Sequence, residues 1–393
     1  MNLFLSDIAI GDARSSFQMI NPLLENIQNE YEGITVLSPK ILDAKQSYIS
    51  HKYFMPFYKS QWLFLRLVSE ATLSIIPFVY YLLKVKNKQN IKNIIVYSPS
   101  IFLVFFVMIH RIFFKKNDNR YFLILRDLFP IWANDTGLIK NVIVYKVLKF
   151  ISSLQFRIFD VVGVQDCAAI ETIKRNYKVT SKIIVLPNWA AKPNFRQDQI
   201  DLEDGLRKIL LNNDKYVIYA GMFGEAQNLV PCIKGFQNYV NKNPQLKHKL
   251  LIIGNGRDSK VLKKIAVSSD NKIIFSDPIP ESLCDILIRH SVGGIVSLSR
   301  EHHTNNIPGK FIKYLSLGIP VMANINISNK ELSRQIVDNS LGVVSFTDDV
   351  REIEKIWDRF LKLKYKNTAL IEFFEKNYSF KRCAKPLLDW ILN

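Results

Sequence analysis

The chain has 393 residues, 48% apolar and 22% charged, a globular composition with material for two cores. Fifteen glycines and fifteen prolines exclude a long low-complexity segment, and there is no repeat of solenoid period. The net charge is +18, with 25 Lys/Arg against 14 Asp/Glu in residues 1–200 and 28 against 21 thereafter, so the first half is the more basic.

That balance suits an anionic membrane surface or a plain solvated basic face. Nucleic acid is disfavoured, since no helix-turn-helix, zinc-ligand spacing or aromatic RNA-binding motif is present. Cys167, Cys232, Cys284 and Cys383 are scattered, which argues for reduced thiols.

In chain order, "NLFLSD" (2–7) reads as a first buried strand, and Asp7 and Asp12 arrive too early for a secretory leader. Further strands are expected at 33–39, 93–99, 121–127, 161–166 and 182–188. "ATLSIIPFVYYLL" (71–83) and "IFLVFFVMI" (101–109) are apolar but shorter than the ~20 residues of a membrane span. They read either as core helices or as a face lying in a membrane interface, with "KVKNKQNIK" (84–92) and Lys115-Lys116 beside anionic head groups. A polar stretch at Pro187–Asp214 marks a change of domain. Strands then recur at 215–221, 249–254, 272–277, 293–299, 320–325 and 342–346, separated by segments of helical spacing. The alternation implies two doubly wound α/β domains facing a cleft, with parallel sheets covered on both faces. The tail "FFEKNYSFKRCAKPLLDWILN" reads as an amphipathic helix.

Ligands of such sheets sit beyond the strands' C-terminal ends. In "NNIPGKFIKYLSLGIPV" (305–321), Gly309 and Lys310 open a helix, where free N–H groups, close approach and a cation suit a diphosphate. "REHHTNNIPGK" also places Glu301, His302 and His303 together, but without a third ligand at metal spacing. "GMFGEAQN" (221–228) brings Gly221, Glu225 and Gln227 after a strand. Gly254-Asn255-Gly256 is either a phosphate-facing turn or simply a tight one, and it lacks the third glycine of a dinucleotide fingerprint. In the first half, Arg126-Asp127 end a strand, where a carboxylate can act as general base, hold a sugar hydroxyl or merely cap a helix. Gly11 and Arg14 occupy the matching loop after the first strand.

Taken together, the arrangement resembles a GT-B glycosyltransferase over nearly the whole chain, and in its second half "GNG", "IIFSDPIPESLCDILIRHSVGGIVSLS" and "NIPGKFIKYLSLGIPVMA" resemble the donor domain of family 4. "LRDLFPIWANDTGL" and "VLPNWA" are similar to the branch of bacterial O-antigen and capsule L-fucosamine transferases. The resemblance implies an acceptor domain at 1–200, a nucleotide-sugar domain at 201–375 and a helix, 376–393, returning to the first domain. It implies transfer from a UDP-sugar to a polyprenyl-diphosphate-linked saccharide, without metal or other cofactor, at the inner face of the cytoplasmic membrane. Donor contacts would come from Gly309, Lys310, Asn305, Asn306, Gly221 and Gln227, with the Asp277–Glu281 loop on the base. Asp127 and Arg126 would stand at the reacting centre, and Gly11 and Arg14 at the acceptor. The two glutamates of the broad family fall near Asn305 and at Lys313, neither acidic, and the arginine expected in the 221–228 loop is missing. A UDP-sugar 2-epimerase and a non-catalytic assembly partner share the same architecture.

Overall fold

The computed structural model describes residues 1–8, 15–31, 33–39, 48–56, 63–86, 88–98, 100–114, 118–135, 137–190, 215–267, 272–301 and 307–393. The chain divides into two compact units, Met1–Trp189 with Phe380–Asn393, and Ala190–Ser379.

In the first unit the described strands are β1 (Asn2–Ser6), β2 (Ile34–Ser38), β3 (Ile49–Lys52), β4 (Asn93–Ser98), β5 (Arg120–Leu125), β6 (Val161–Val164) and β7 (Lys182–Val185). They form one parallel sheet in the order β3-β2-β1-β4-β5-β6-β7. Alternate residues enter opposite cores. Leu3, Leu5, Ile94, Val96, Leu123 and Leu125 face one core, and Phe4, Ile95, Phe122 and Ile124 the other. Burial on both faces explains why these strands are unbroken apolar runs. The edge strand β3, "ISHK", is partly exposed and polar, so it carries no such run.

The two apolar stretches resolve differently. Residues 71–83 span the end of the helix Leu63–Thr72, a turn, and the helix Ile76–Lys84, with Pro77 in its first turn. Residues 101–109 form a short 3-10 turn and part of the helix Val104–Phe113. Ile101, Phe102, Leu103, Val104, Phe106 and Val107 are buried there, so this stretch is mainly core. Its His110 is buried between the hydroxyls of Tyr121 (3.0 Å) and Tyr81 (3.1 Å), and desolvation pushes its pKa down to about 4. Among the described residues, no helix is long and apolar enough to cross a membrane.

The second unit repeats the plan with β8 (Tyr216–Ala220), β9 (Lys249–Ile253), β10 (Ile273–Ser276), β11 (Gly293–Ser297), β12 (Val321–Asn324) and β13 (Gly342–Ser345). The order is β10-β9-β8-β11-β12-β13, again parallel. In both units the winding reverses beside the first strand, between β1 and β4 and between β8 and β11. Loops leaving those strands border the crevice where doubly wound sheets bind ligands.

The tail is not one continuous helix. It runs through Asn367–Asn377, a turn at Tyr378-Ser379, Phe380–Cys383 and then Lys385–Leu392, whose first turn holds Pro386. That last helix packs on the first unit. The Trp390 ring lies 5.1 Å from Phe122 and 4.7 Å from the Arg120 guanidinium, and the Ile391 carbonyl accepts from Asn93 and Arg120.

Candidate functional site

The reversal point of the second unit gathers several of the expected donor residues. The helix Gly309–Ser316 begins after Pro308, and among the described residues no side chain caps its first turn. Its N-terminal N–H groups therefore keep their capacity for an external acceptor. Tyr314 fastens the helix to β8, with its hydroxyl 3.3 Å from the Ala220 N–H and 3.4 Å from the Ile218 carbonyl. Lys310, one turn earlier on the same side, is thereby aimed at the end of β8. Its Nζ donates to the Tyr219 hydroxyl at 2.7 Å and lies 4.1 Å from that ring's centroid. Tyr219 in turn donates to the Met222 carbonyl at 2.7 Å. Among the described residues no carboxylate pairs with Lys310, and desolvation pushes its pKa down to about 7.

Gly221 comes against this lysine, since a Cβ added there would lie 3.2 Å from Nζ. Gly254 and Gly256 have a different task. Both hold positive φ, and a Cβ would stand 1.9 Å from the Gly221 carbonyl oxygen or 2.0 Å from that of Phe223. The Gly254-Asn255-Gly256 turn is thus the bed on which the 221–223 loop rests, through Gly221 N–H to Ile253 O and Phe223 N–H to Asn255 O. Gln227 lies in the next turn, with its N–H on the Gly224 carbonyl. Glu225 is exposed and paired with Arg257 at 3.0 Å.

The loop after β11 is tied to the loop after β8 by the Ser299 N–H on the Ala226 carbonyl. Asn305, Asn306, His302 and His303 lie outside the described residues. Among the described residues no three His, Cys, Asp or Glu side chains form a metal-sized cluster.

Sequence reasoning missed a polar knot beside this loop. Asp348 contacts Arg300 (3.5 Å), Asn228 (3.3 Å) and Asn324 (3.5 Å), joining the loops after β11, β8, β12 and β13. Arg300 and Asn228 lie in loops that the sequence marked, "REHHTNNIPGK" and "GMFGEAQN", whereas Asn324 and Asp348 carried no signal.

Asp277 and Glu281 lie in the segment after β10. Asp277 is exposed and 3.5 Å from Lys263. Glu281 opens the helix Glu281–His290, 3.3 Å from Lys313, whose stronger contact is Asp285 at 2.6 Å. Lys313, where the resemblance places a glutamate, is therefore bound to carboxylates of the neighbouring helix. Desolvation pushes the Asp285 pKa up, and Lys313 pulls against that shift.

In the first unit, Arg126 and Asp127 leave β5. Arg126 is buried, donates from Nη1 to the Leu186 carbonyl at 2.7 Å, and has its guanidinium 5.2 Å from the Trp189 ring. Among the described residues its Nε and Nη2 have no hydrogen-bond partner. Desolvation lowers its pKa to about 10. Asp127 retains exposed surface, yet desolvation raises its pKa, with Arg126 opposing. Gly11 and Arg14 lie outside the described residues.

No protein-family model matches the sequence, and no curated protein matches it. Solved structures do. An α,α-trehalose-phosphate synthase (UDP-forming) from Burkholderia xenovorans superposes with TM-score 0.70 at 11% identity, covering 100% of this chain and 99% of that one. A sucrose-phosphate synthase from Thermosynechococcus elongatus gives 0.71 at 9% identity, covering 99% and 98%. A lipopolysaccharide outer core galactosyltransferase gives 0.61 at 12% identity, covering 97% and 96%. At these identities the likeness establishes the fold, which is GT-B.

Proposed function

We propose that this chain is a glycosyltransferase that moves a sugar from a UDP-linked donor, held by the second unit, to a polyprenyl-diphosphate-linked saccharide, held by the first. The observation that carries the reading is Lys310, a lysine with no carboxylate partner among the described residues, at a helix start that Pro308 leaves without a side-chain cap, beside Gly221. An arriving diphosphate supplies the counter-charge that the protein withholds. The nucleotide base falls to the Asp277–Glu281 loop, and Asn305, Asn306 and Gln227 complete the donor contacts. The names of the three similar structures, two sugar-phosphate synthases and a lipopolysaccharide galactosyltransferase, support this reaction class. The family motifs quoted above favour N-acetyl-L-fucosamine as the donor sugar and O-antigen synthesis at the inner face of the cytoplasmic membrane as the setting.

In the reaction, an acceptor hydroxyl bonds to the anomeric carbon while that carbon's bond to the diphosphate oxygen breaks. Lys310 and the helix N–H groups take up the charge that develops on the leaving UDP, so no metal is needed. Asp127 receives or orients the hydroxyl proton, and its raised pKa makes it a stronger base than an ordinary carboxylate. Arg126 holds the β5 end in place, and Gly11 and Arg14 guide the acceptor phosphate.

Calorimetry of UDP binding in the presence of a chelator tests the donor half. Binding that persists without divalent cations and disappears in Lys310→Ala agrees with the proposal. Binding that requires Mg²⁺, or that ignores the substitution, contradicts it.

A further inference from the structure

The helix Val142–Ile158 is apolar on both its inner and its outward side. Its buried side contains Ser152 and Gln155 as well as Leu148 and Phe156. Its outward side carries Ile143 (72% exposed), Val147 (53%) and Phe150 (63%), at the i, i+4, i+7 spacing of one helix face. Lys146 and Arg157 are exposed alongside them, and Lys140 just precedes the helix. No acidic residue occurs between Asp135 and Asp160.

Two neighbouring helices add exposed apolar and basic residues. The helix Val104–Phe113 packs on Val142–Ile158 and also on Ile76–Lys84, where Phe78 meets Phe106 and Phe113. Phe113 (73%) and Ile112 are exposed at the end of Val104–Phe113, and Leu82 and Leu83 (72%) at the end of Ile76–Lys84, next to exposed Lys84 and Lys86. Large apolar side chains interleaved with lysines across three adjacent helices exceed the scattered exposure of an ordinary surface.

We infer that these three helices form a docking face for an anionic lipid bilayer, with Ile143, Val147 and Phe150 entering the head-group region and Lys140, Lys146, Arg157, Lys84 and Lys86 on the lipid phosphates. Apolar side chains flanked by cations match the interface of an anionic leaflet. A two-fold contact with a second copy would bring like charges together and is disfavoured. The biological purpose, delivery to a lipid-linked acceptor, rests on the proposed function, but the lipid affinity does not.

The test is co-sedimentation of the full chain with vesicles of phosphatidylcholine, with or without phosphatidylglycerol. Ile143→Ser with Phe150→Ser is expected to lower the partition coefficient about tenfold per side chain. Lys140→Glu with Lys146→Glu is expected to lower it about fivefold per residue, on the anionic vesicles only. Circular dichroism and UDP affinity, unchanged in both variants, show that fold and donor site survive. Wild-type partitioning in both variants overturns the inference. So does vesicle-free dimerisation that the serine variant abolishes, since the face would then bind protein. Vesicle binding that behaves as expected, in a protein with no transfer to any acceptor, upholds the docking face and removes only the proposed reaction.

Discussion

Replacing Lys310 by methionine separates its cost from its use. Burial lowers the lysine pKa from 10.5 to about 7. Holding the ammonium in the ligand-free protein therefore costs at most about 5 kcal/mol. The unfolded chain keeps this proton to about pH 10.5 and the folded chain releases it near 7. The penalty is thus complete below pH 7 and fades as the pH rises through that window. Lys310→Met keeps the stem and removes the charge. Below pH 7 it is expected to be the more stable protein. Even half of the ceiling would raise the melting temperature by about 5–10 °C for a unit of this size. Toward pH 10 the difference should close. UDP affinity should move the other way, weakening by about 1.5–3 kcal/mol, or roughly 10- to 150-fold. Scanning calorimetry at pH 6, 8 and 10, with UDP titrations at pH 6.5, reads both. Equal melting temperatures at pH 6 and equal UDP affinity would refute the placement of a desolvated, diphosphate-facing cation.

Three further substitutions follow from the geometry. Gly254→Ala drives a Cβ toward the Gly221 carbonyl at 1.9 Å from a backbone of positive φ, and should destabilise the second unit by about 2–4 kcal/mol while weakening UDP binding; urea unfolding with unchanged stability would show that the turn relaxes freely. Asp127→Asn should lower turnover about 10²-fold or more with donor affinity preserved, and full activity in steady-state assays would remove Asp127 from the chemistry. Lys313→Ala leaves the buried Asp285 carboxylate without its cation and should cost about 3 kcal/mol of stability at neutral pH, with UDP affinity unaltered. A loss of UDP binding in a Lys313→Ala protein of normal stability would instead place Lys313 on the donor.

Strands buried on both faces were legible because burial demands an apolar run: "NLFLS", "NIIVYS" and "KLLII" each declare themselves. The edge strand β3 was not, because half of "ISHK" meets water and its residues suit a loop equally well. Lys310 was legible from its place after Pro308-Gly309, whereas its partner Tyr219 looked like one more aromatic in a core strand. The glycines at 254 and 256 were visible, but only the folded chain shows that they admit the 221–223 backbone. Asp348 lay far along the sequence from Asn228, Arg300 and Asn324, and nothing local marks a carboxylate that joins four loops. The outward apolar side of Val142–Ile158 escaped notice because helical periodicity identifies an apolar stripe without saying which way it faces.

The most direct measurement of the central claim is a donor panel. The purified chain is incubated with a prenyl-diphosphate-linked N-acetylglucosamine acceptor and single UDP-sugars, UDP-N-acetyl-L-fucosamine among them, and the lipid products are weighed by mass spectrometry. The expected result is a gain of one sugar with one donor, abolished in Lys310→Ala. Isomerised UDP-sugar without lipid product, or no product from folded protein with any donor, would contradict a glycosyltransferase acting on this acceptor.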